Sequence, residues 1–195
     1  DQYLVKSDYQ AAQEGFIQPY ADSPMDDEQV GEEVYISMIN KAERYCWFMT
    51  PYLIITDEMT HALCLAAKRG VDVRIITPGM PDKKLIYSIT RSFYHGLVKN
   101  GVRIYEWTPG LSHAKMSVAD DCMATCGTIN LDYRSLYHHF ENGCFMADSQ
   151  TVLDIRDDLG ATMNECREVT EKYRTGRSAY LRLGQLFMRL FAGLL

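Results

Sequence analysis

The chain has 195 residues, 47% of them apolar and 24% charged, with a formal net charge of −6. This is the balance of an ordinary globular protein, long enough for one domain with a sizeable core. An acidic body matches nucleic acid poorly, so no nucleic-acid partner is expected. No uncharged apolar run reaches eighteen residues and no secretory leader is recognisable, so neither a membrane span nor export is expected.

Asp1 to Glu28 is acidic and turn-rich, and residues 1–26 read as a linker or edge segment. Asp26 or Asp27 is placed to cap a helix running to about Arg44, with Val30, Val34, Ile36, Met38 and Ile39 on its apolar side. Tyr45 to Met49 reads as a strand stopped by Thr50-Pro51. Asp57 is expected to cap a helix through Lys68, closed by Gly70. Val71 to Thr77 is the next strand, with Pro78-Gly79-Met80-Pro81 as breakers. A helix from about Lys83 to Lys99, a strand from Val102 to Trp107 and a turn at Pro109-Gly110 lead into the central motif. Cys144 to Ala147 reads as a further strand and about Thr151 to Arg167 as a helix. Alternating strands and helices predict an α/β layered fold over residues 27–170.

The chemistry concentrates in His113-Ala-Lys115-Met-Ser-Val-Ala-Asp120 and the following Gly127-Thr128-Ile-Asn130. In an extended run, side chains alternate, so His113 and Lys115 share a face, a nucleophile or proton carrier beside a fixed positive charge. Asp120 falls on the opposite face, where its role is support. Gly127 permits close backbone approach to a ligand. Thr128 and Asn130 offer a hydroxyl and an amide to a phosphate oxygen.

These residues match the pattern His-x-Lys-x4-Asp-x6-Gly-Ser/Thr-x-Asn, and the chain therefore resembles the phospholipase D superfamily. The resemblance implies a mixed sheet between helices, with the motif at strand ends. It implies catalytic roles for His113, Lys115, Asp120 and Glu141, and phosphate binding by Lys115, Thr128 and Asn130. Glu141 is expected to hydrogen-bond the motif histidine. No metal and no cofactor is expected, since Lys115 can supply the positive charge. The segments Met49–Ile55, Lys68–Gly79 and Gly127–Tyr137 are similar to the C-terminal half of bacterial cardiolipin synthases, which carry two such motifs. That implies phosphatidyl transfer between two phosphatidylglycerols, at the cytoplasmic side of a bacterial membrane. It also implies a missing N-terminal half, or a second copy of this chain, as partner. A homodimeric one-motif phosphodiesterase or nuclease-type member, and a non-catalytic membrane-docking module, are the alternatives. The surface meant for the partner, Thr128 to Ser135, is expected to be exposed and partly apolar.

Other candidates carry less. His61 reads as a packed or surface histidine, and the adjacent His138 and His139 have no third metal ligand at an obvious spacing. Arg134 fits either a second lipid headgroup or a structural ion pair. Six cysteines (Cys46, Cys64, Cys122, Cys126, Cys144, Cys166) show no zinc spacing and read as small buried residues. From Lys172 onward there are basic residues and no acid, and within the basic amphipathic tail, 171–195, the stretch Ser178 to Leu195 is a candidate helix for a membrane interface or a protein surface.

Overall fold

A computed structural model describes residues 14–80 and 82–175. The tail reading, from Ser178 on, and residues 1–13 lie outside the described residues.

The architecture is three-layered α/β/α around one eight-stranded mixed sheet. Its order is β1 (Phe16–Asp22), β9 (Glu141–Ala147), β7 (Met123–Gly127), β6 (Met116–Ala119), β2 (Tyr45–Met49), β4 (Asp72–Pro78), β5 (Arg103–Trp107), β10 (Cys166–Glu168). β2, β4 and β5 run parallel and the remaining pairs antiparallel. The central strands are buried on both faces, which is why they read as continuous apolar runs. Cys46, Phe48, Val73 and Ile75 face one core, while Met49 and Ile76 face the other.

Helices α1 (Val30–Lys41), α2 (Asp57–Lys68), α3 (Lys84–Lys99) and α6 (Thr170–Thr175) cover the first face. Helix α5 (Gln150–Glu165) covers the second through Val152, Ile155, Leu159 and Met163. A separate two-stranded pair, β3 (Leu53–Ile54) with β8 (Leu131–Asp132), leads into the short helix α4 (Tyr133–Tyr137).

Two caps differ from expectation. Asp26 and Asp27 do not cap α1; Asp22, at the end of β1, accepts from the Gly31 N–H at 2.7 Å. β1 itself lies at the sheet edge, within the segment expected to be linker or edge. For α2 the cap is Thr56 rather than Asp57, its hydroxyl accepting from Met59 N at 3.0 Å. Asp57 then sits in the first turn, where an acid favours the helix dipole.

Parallel β2, β4 and β5 all finish at one end of the sheet. Antiparallel β6 starts there, because Met116 pairs with Met49, and β7 ends there. This puts the loop before β6, the end of β7 and the start of β9 side by side.

Candidate active site

His113, Ala114 and Lys115 precede β6 rather than belong to it; the strand proper begins at Met116. The expected convergence of His113 and Lys115 is present, although not through strand alternation. The Lys115 ammonium donates to His113 Nδ1 at 2.5 Å and to the His113 carbonyl at 2.7 Å. An ammonium has no acceptor capacity, so Nδ1 accepts, and a neutral ring keeps its proton on Nε2. Partial burial lowers the Lys115 pKa from its ordinary value, opposed by the charges of Glu141 and Asp132. The His113 ring meets Tyr52 edge-on at 5.9 Å between centroids. Tyr52 is anchored by its hydroxyl, which donates to Asp82 at 2.5 Å. Burial and that carboxylate push its pKa up to about 12.

His113, Lys115, Thr128, Asn130 and Glu141 line one open cleft of about 700 Å³, together with Lys83, Cys126, Asp132, Arg134 and His139. Asp120 does not belong to this cleft. It lies at the far end of β6, where its carboxylate accepts from the backbone N–H groups of Glu43, Arg44 and Tyr45 at 2.7, 2.9 and 2.8 Å. A place among the catalytic residues therefore does not fit its position, and support of the fold does.

Glu141 departs from the expected contact. Its nearly buried carboxylate accepts a short hydrogen bond from the Thr128 hydroxyl, while His113 Nδ1 is taken by Lys115. Thr128 is locked across the β7–β9 ladder, its hydroxyl also accepting from Asn142 N at 3.0 Å. Asn130 donates Nδ2 to Asp132 at 3.1 Å, and its buried Oδ1 meets no partner. Asp132 caps α4 through Ser135 N at 2.7 Å; burial pushes its pKa above the ordinary value against these bonds. Asp132 was not singled out in the sequence, although an Asx residue ahead of a short helix is a recognisable capping signal.

Gly127 is explained by its neighbours rather than by a ligand. A Cβ there would strike the Asn142 carbonyl and come within 2.7 Å of Gly143 Cα. The surface from Thr128 to Ser135 is also not the apolar patch expected. Ile129, Leu131, Asp132 and Ser135 are buried, and the exposed apolar side chains at this end of the sheet include Leu111 and Phe140 instead. Ile129 and Leu131 pack into the main core, which removes them from any partner surface.

Among the described residues, no group of three His, Cys, Asp or Glu side chains is arranged to hold a metal ion. No helix of the described residues is long and apolar enough to cross a membrane.

Residues 35–163 match the family model described as "Cardiolipin synthase, PLD-like domain". An uncharacterised protein of Streptococcus mutans is 47% identical over 99% of this chain and 42% of its own length. A cardiolipin synthase of Halalkalibacterium halodurans is 31% identical over 93% of this chain and 36% of its own length. The chain thus spans well under half of these longer relatives. Among solved structures, Nuc, a phospholipase D family member from Salmonella typhimurium, has a TM-score of 0.67 at 18% identity. That match covers 80% of this chain and 98% of Nuc, a likeness of fold.

Proposed function

The chain belongs to the phospholipase D-like domain family of cardiolipin synthases, and on that premise we propose that it is the C-terminal catalytic half of such an enzyme. Its reaction would be phosphatidyl transfer between two phosphatidylglycerols at the cytoplasmic face of a bacterial membrane. The observation that carries the reading is the pairing of His113 with Lys115 at 2.5 Å in a cleft that also presents Thr128 and Asn130.

The chemistry divides as follows. A histidine from the other half of the enzyme attacks the phosphorus of one phosphatidylglycerol, forming an N–P bond as the glycerol C–O–P linkage breaks at phosphorus. With Lys115 turned from His113 Nδ1 to the phosphate oxygens, the His113 imidazolium donates its Nε2 proton to the departing glycerol oxygen. The neutral His113 ring that remains then takes the hydroxyl proton of a second phosphatidylglycerol. That oxygen attacks phosphorus and the N–P bond breaks, so the proton count closes. Lys115 neutralises the non-bridging oxygens, in a partly dehydrated setting where a charge acts more strongly than in bulk water. Glu141 and Thr128 fix the floor of the cleft at the start of β9, and Asn130, held by Asp132, lines the cleft beside them.

The cleft is open to solvent, which leaves room for a second motif and supports a site shared between halves. The test is to assay the full-length protein and this chain alone on phosphatidylglycerol, with solution mass measured in parallel. Transfer by the full-length protein and near-inactivity of the chain is the expected result. Strong transfer by a monomer of this chain would refute the shared site, and concentration-dependent hydrolysis by a dimer would favour the homodimeric alternative. Transfer is expected to persist in EDTA, because Lys115 occupies the position of charge; restoration by a divalent ion after chelation would count against it.

A further inference from the structure

The cleft holds more positive charge than one phosphodiester requires. A reacting diester carries one negative charge, and Lys115 stands ready for it. Lys83 and Arg134 line the same cleft, in a protein whose overall charge is negative. Among the described residues Lys83 has no carboxylate within ion-pair distance. The neighbouring Asp82 accepts from Tyr52 and from the Lys83 backbone N–H instead.

Arg134 is more telling. Every other arginine among the described residues meets a carboxylate, apart from Arg69, which donates to the carbonyls of Ile39, Asn40 and Ala42. Arg134 meets neither. Its Nε donates to His139 Nε2 at 2.8 Å. The imidazole is thereby an acceptor at Nε2, and a neutral ring carries its proton on Nδ1, 3.9 Å from the Glu141 carboxylate. An exposed guanidinium aimed by a side chain with no negative charge keeps its remaining N–H donors for something else. Its fork geometry suits the two non-bridging oxygens of a phosphate.

We propose that Arg134, oriented by His139 and assisted by Lys83, forms a second phosphate subsite that takes the phosphodiester of the acceptor lipid while His113 and Lys115 hold the phosphorus being transferred. This rests on the proposed function. Joining two phosphatidylglycerols brings two phosphodiesters, one glycerol apart, into a single cleft. A site with one cation would leave the second diester uncompensated, repelled by the first. With the acceptor phosphate fixed, its glycerol hydroxyl is presented to His113 and held in preference to water.

The experiment compares acceptors in the full-length protein. Wild-type and Arg134→Ala enzymes are supplied with phosphatidylglycerol vesicles alone, and with the same vesicles plus ethanol, a neutral acceptor without a phosphate. Loss of a charge-assisted contact predicts that the ratio of cardiolipin to phosphatidylethanol falls roughly tenfold or more. Arg134→Lys is expected to recover part of the ratio. Because both products come from the same enzyme sample, the fraction of folded protein cancels. If Arg134→Ala yields no folded protein, Lys83→Ala on an exposed side chain carries the same comparison, with a smaller fall expected. An unchanged ratio in these variants overturns the subsite while leaving the proposed function standing. Wild-type enzyme that makes phosphatidylethanol but no cardiolipin overturns the proposed function and the subsite with it. Inorganic phosphate separates the two sources of the anion. If it alters wild-type phosphatidylethanol formation, the response disappears in Arg134→Ala and the acceptor ratio stays constant, then the subsite serves free phosphate and the lipid assignment is wrong.

Discussion

The two ends of β6 carry parts of one sequence motif and are built in opposite ways. At the Asp120 end the two aspartates find their partners within the protein. Asp120 accepts three backbone N–H bonds, and Asp121 receives Arg44, Tyr45 and Arg156. Both aspartates adopt positive φ, 54° and 65°, a conformation that Asp tolerates better than most residues. At the His113 end the cations Lys115 and Arg134 face imidazoles rather than carboxylates, and Asn130 Oδ1 has no partner. One end anchors the antiparallel half of the sheet to the turn before β2. The other leaves two cations without carboxylate partners, an arrangement suited to an anionic ligand.

The comparison is sharpened most by exchanging the residues for alanine. His113→Ala in the full-length protein is expected to lower phosphatidyl transfer by at least about 10²-fold with melting temperature preserved, since its side chain is exposed and supports no core contact. Wild-type-like turnover would show that the open end is not the reacting end. Asp120→Ala should do the reverse. Removing a carboxylate from three backbone donors is expected to cost about 2 kcal/mol of stability, read by denaturant unfolding, with specific activity of the folded fraction little changed. A large activity loss without destabilisation would put Asp120 back among the catalytic groups.

A smaller effect concerns Lys115. Burial lowers its pKa, so its charge is lost at a pH below the usual lysine range. Transfer should therefore decline on the alkaline side as the ammonium deprotonates. Lys115→Arg, which stays charged, should show a lower overall rate but no such decline. An alkaline limb identical in both enzymes would assign it to another group.

How far this was legible in the sequence follows from what fixes each element. The strand Tyr45–Met49 coincides with the predicted boundaries and the helix Asp57–Lys68 with its predicted end, because their stop signals, Thr50-Pro51 and Gly70, are local. The pair β3–β8, the three-residue β10 and the five-residue α4 were not read. Elements this short have no periodicity, and they exist because distant partners hold them, as Thr50 Oγ1 does by accepting from Leu131 N at 3.1 Å. The cap of α1 was missed for the same reason, coming from Asp22 nine residues upstream. The cleft brings together His113, Lys115, Thr128 and Asn130, which the motif spacing singles out, and Glu141, which only the family resemblance indicated. Spacing was not enough to say that Glu141 would hold Thr128 and leave His113 to Lys115. Nor does spacing show that Arg134 would find an imidazole instead of an acid. That depends on the chain turning back after α4, so that His139 meets Arg134 five residues earlier.

The gentlest probe of the closed end is pH. Hydrogen bonds from Arg156, then Tyr45 and Arg44, lower the Asp121 pKa to about 2. The ordinary unfolded value is about 3.9. Between these, the unfolded chain binds more protons than the folded one, so stability rises with pH through that interval. The contribution is complete above about pH 4 and is lost as pH falls toward about 2. Most of this cluster is solvent-exposed, so the gain is small and weakened by salt. Asp121→Asn should then be slightly less stable than wild type at neutral pH, with the two stability curves converging between about pH 4 and pH 2. The gap should also narrow in high salt, and transfer at neutral pH should not change. Parallel curves across that interval would mean that Asp121 is not held by its partners in solution. A fall in transfer would mean that the two ends of β6 are coupled, and that the closed end does more than carry the open one.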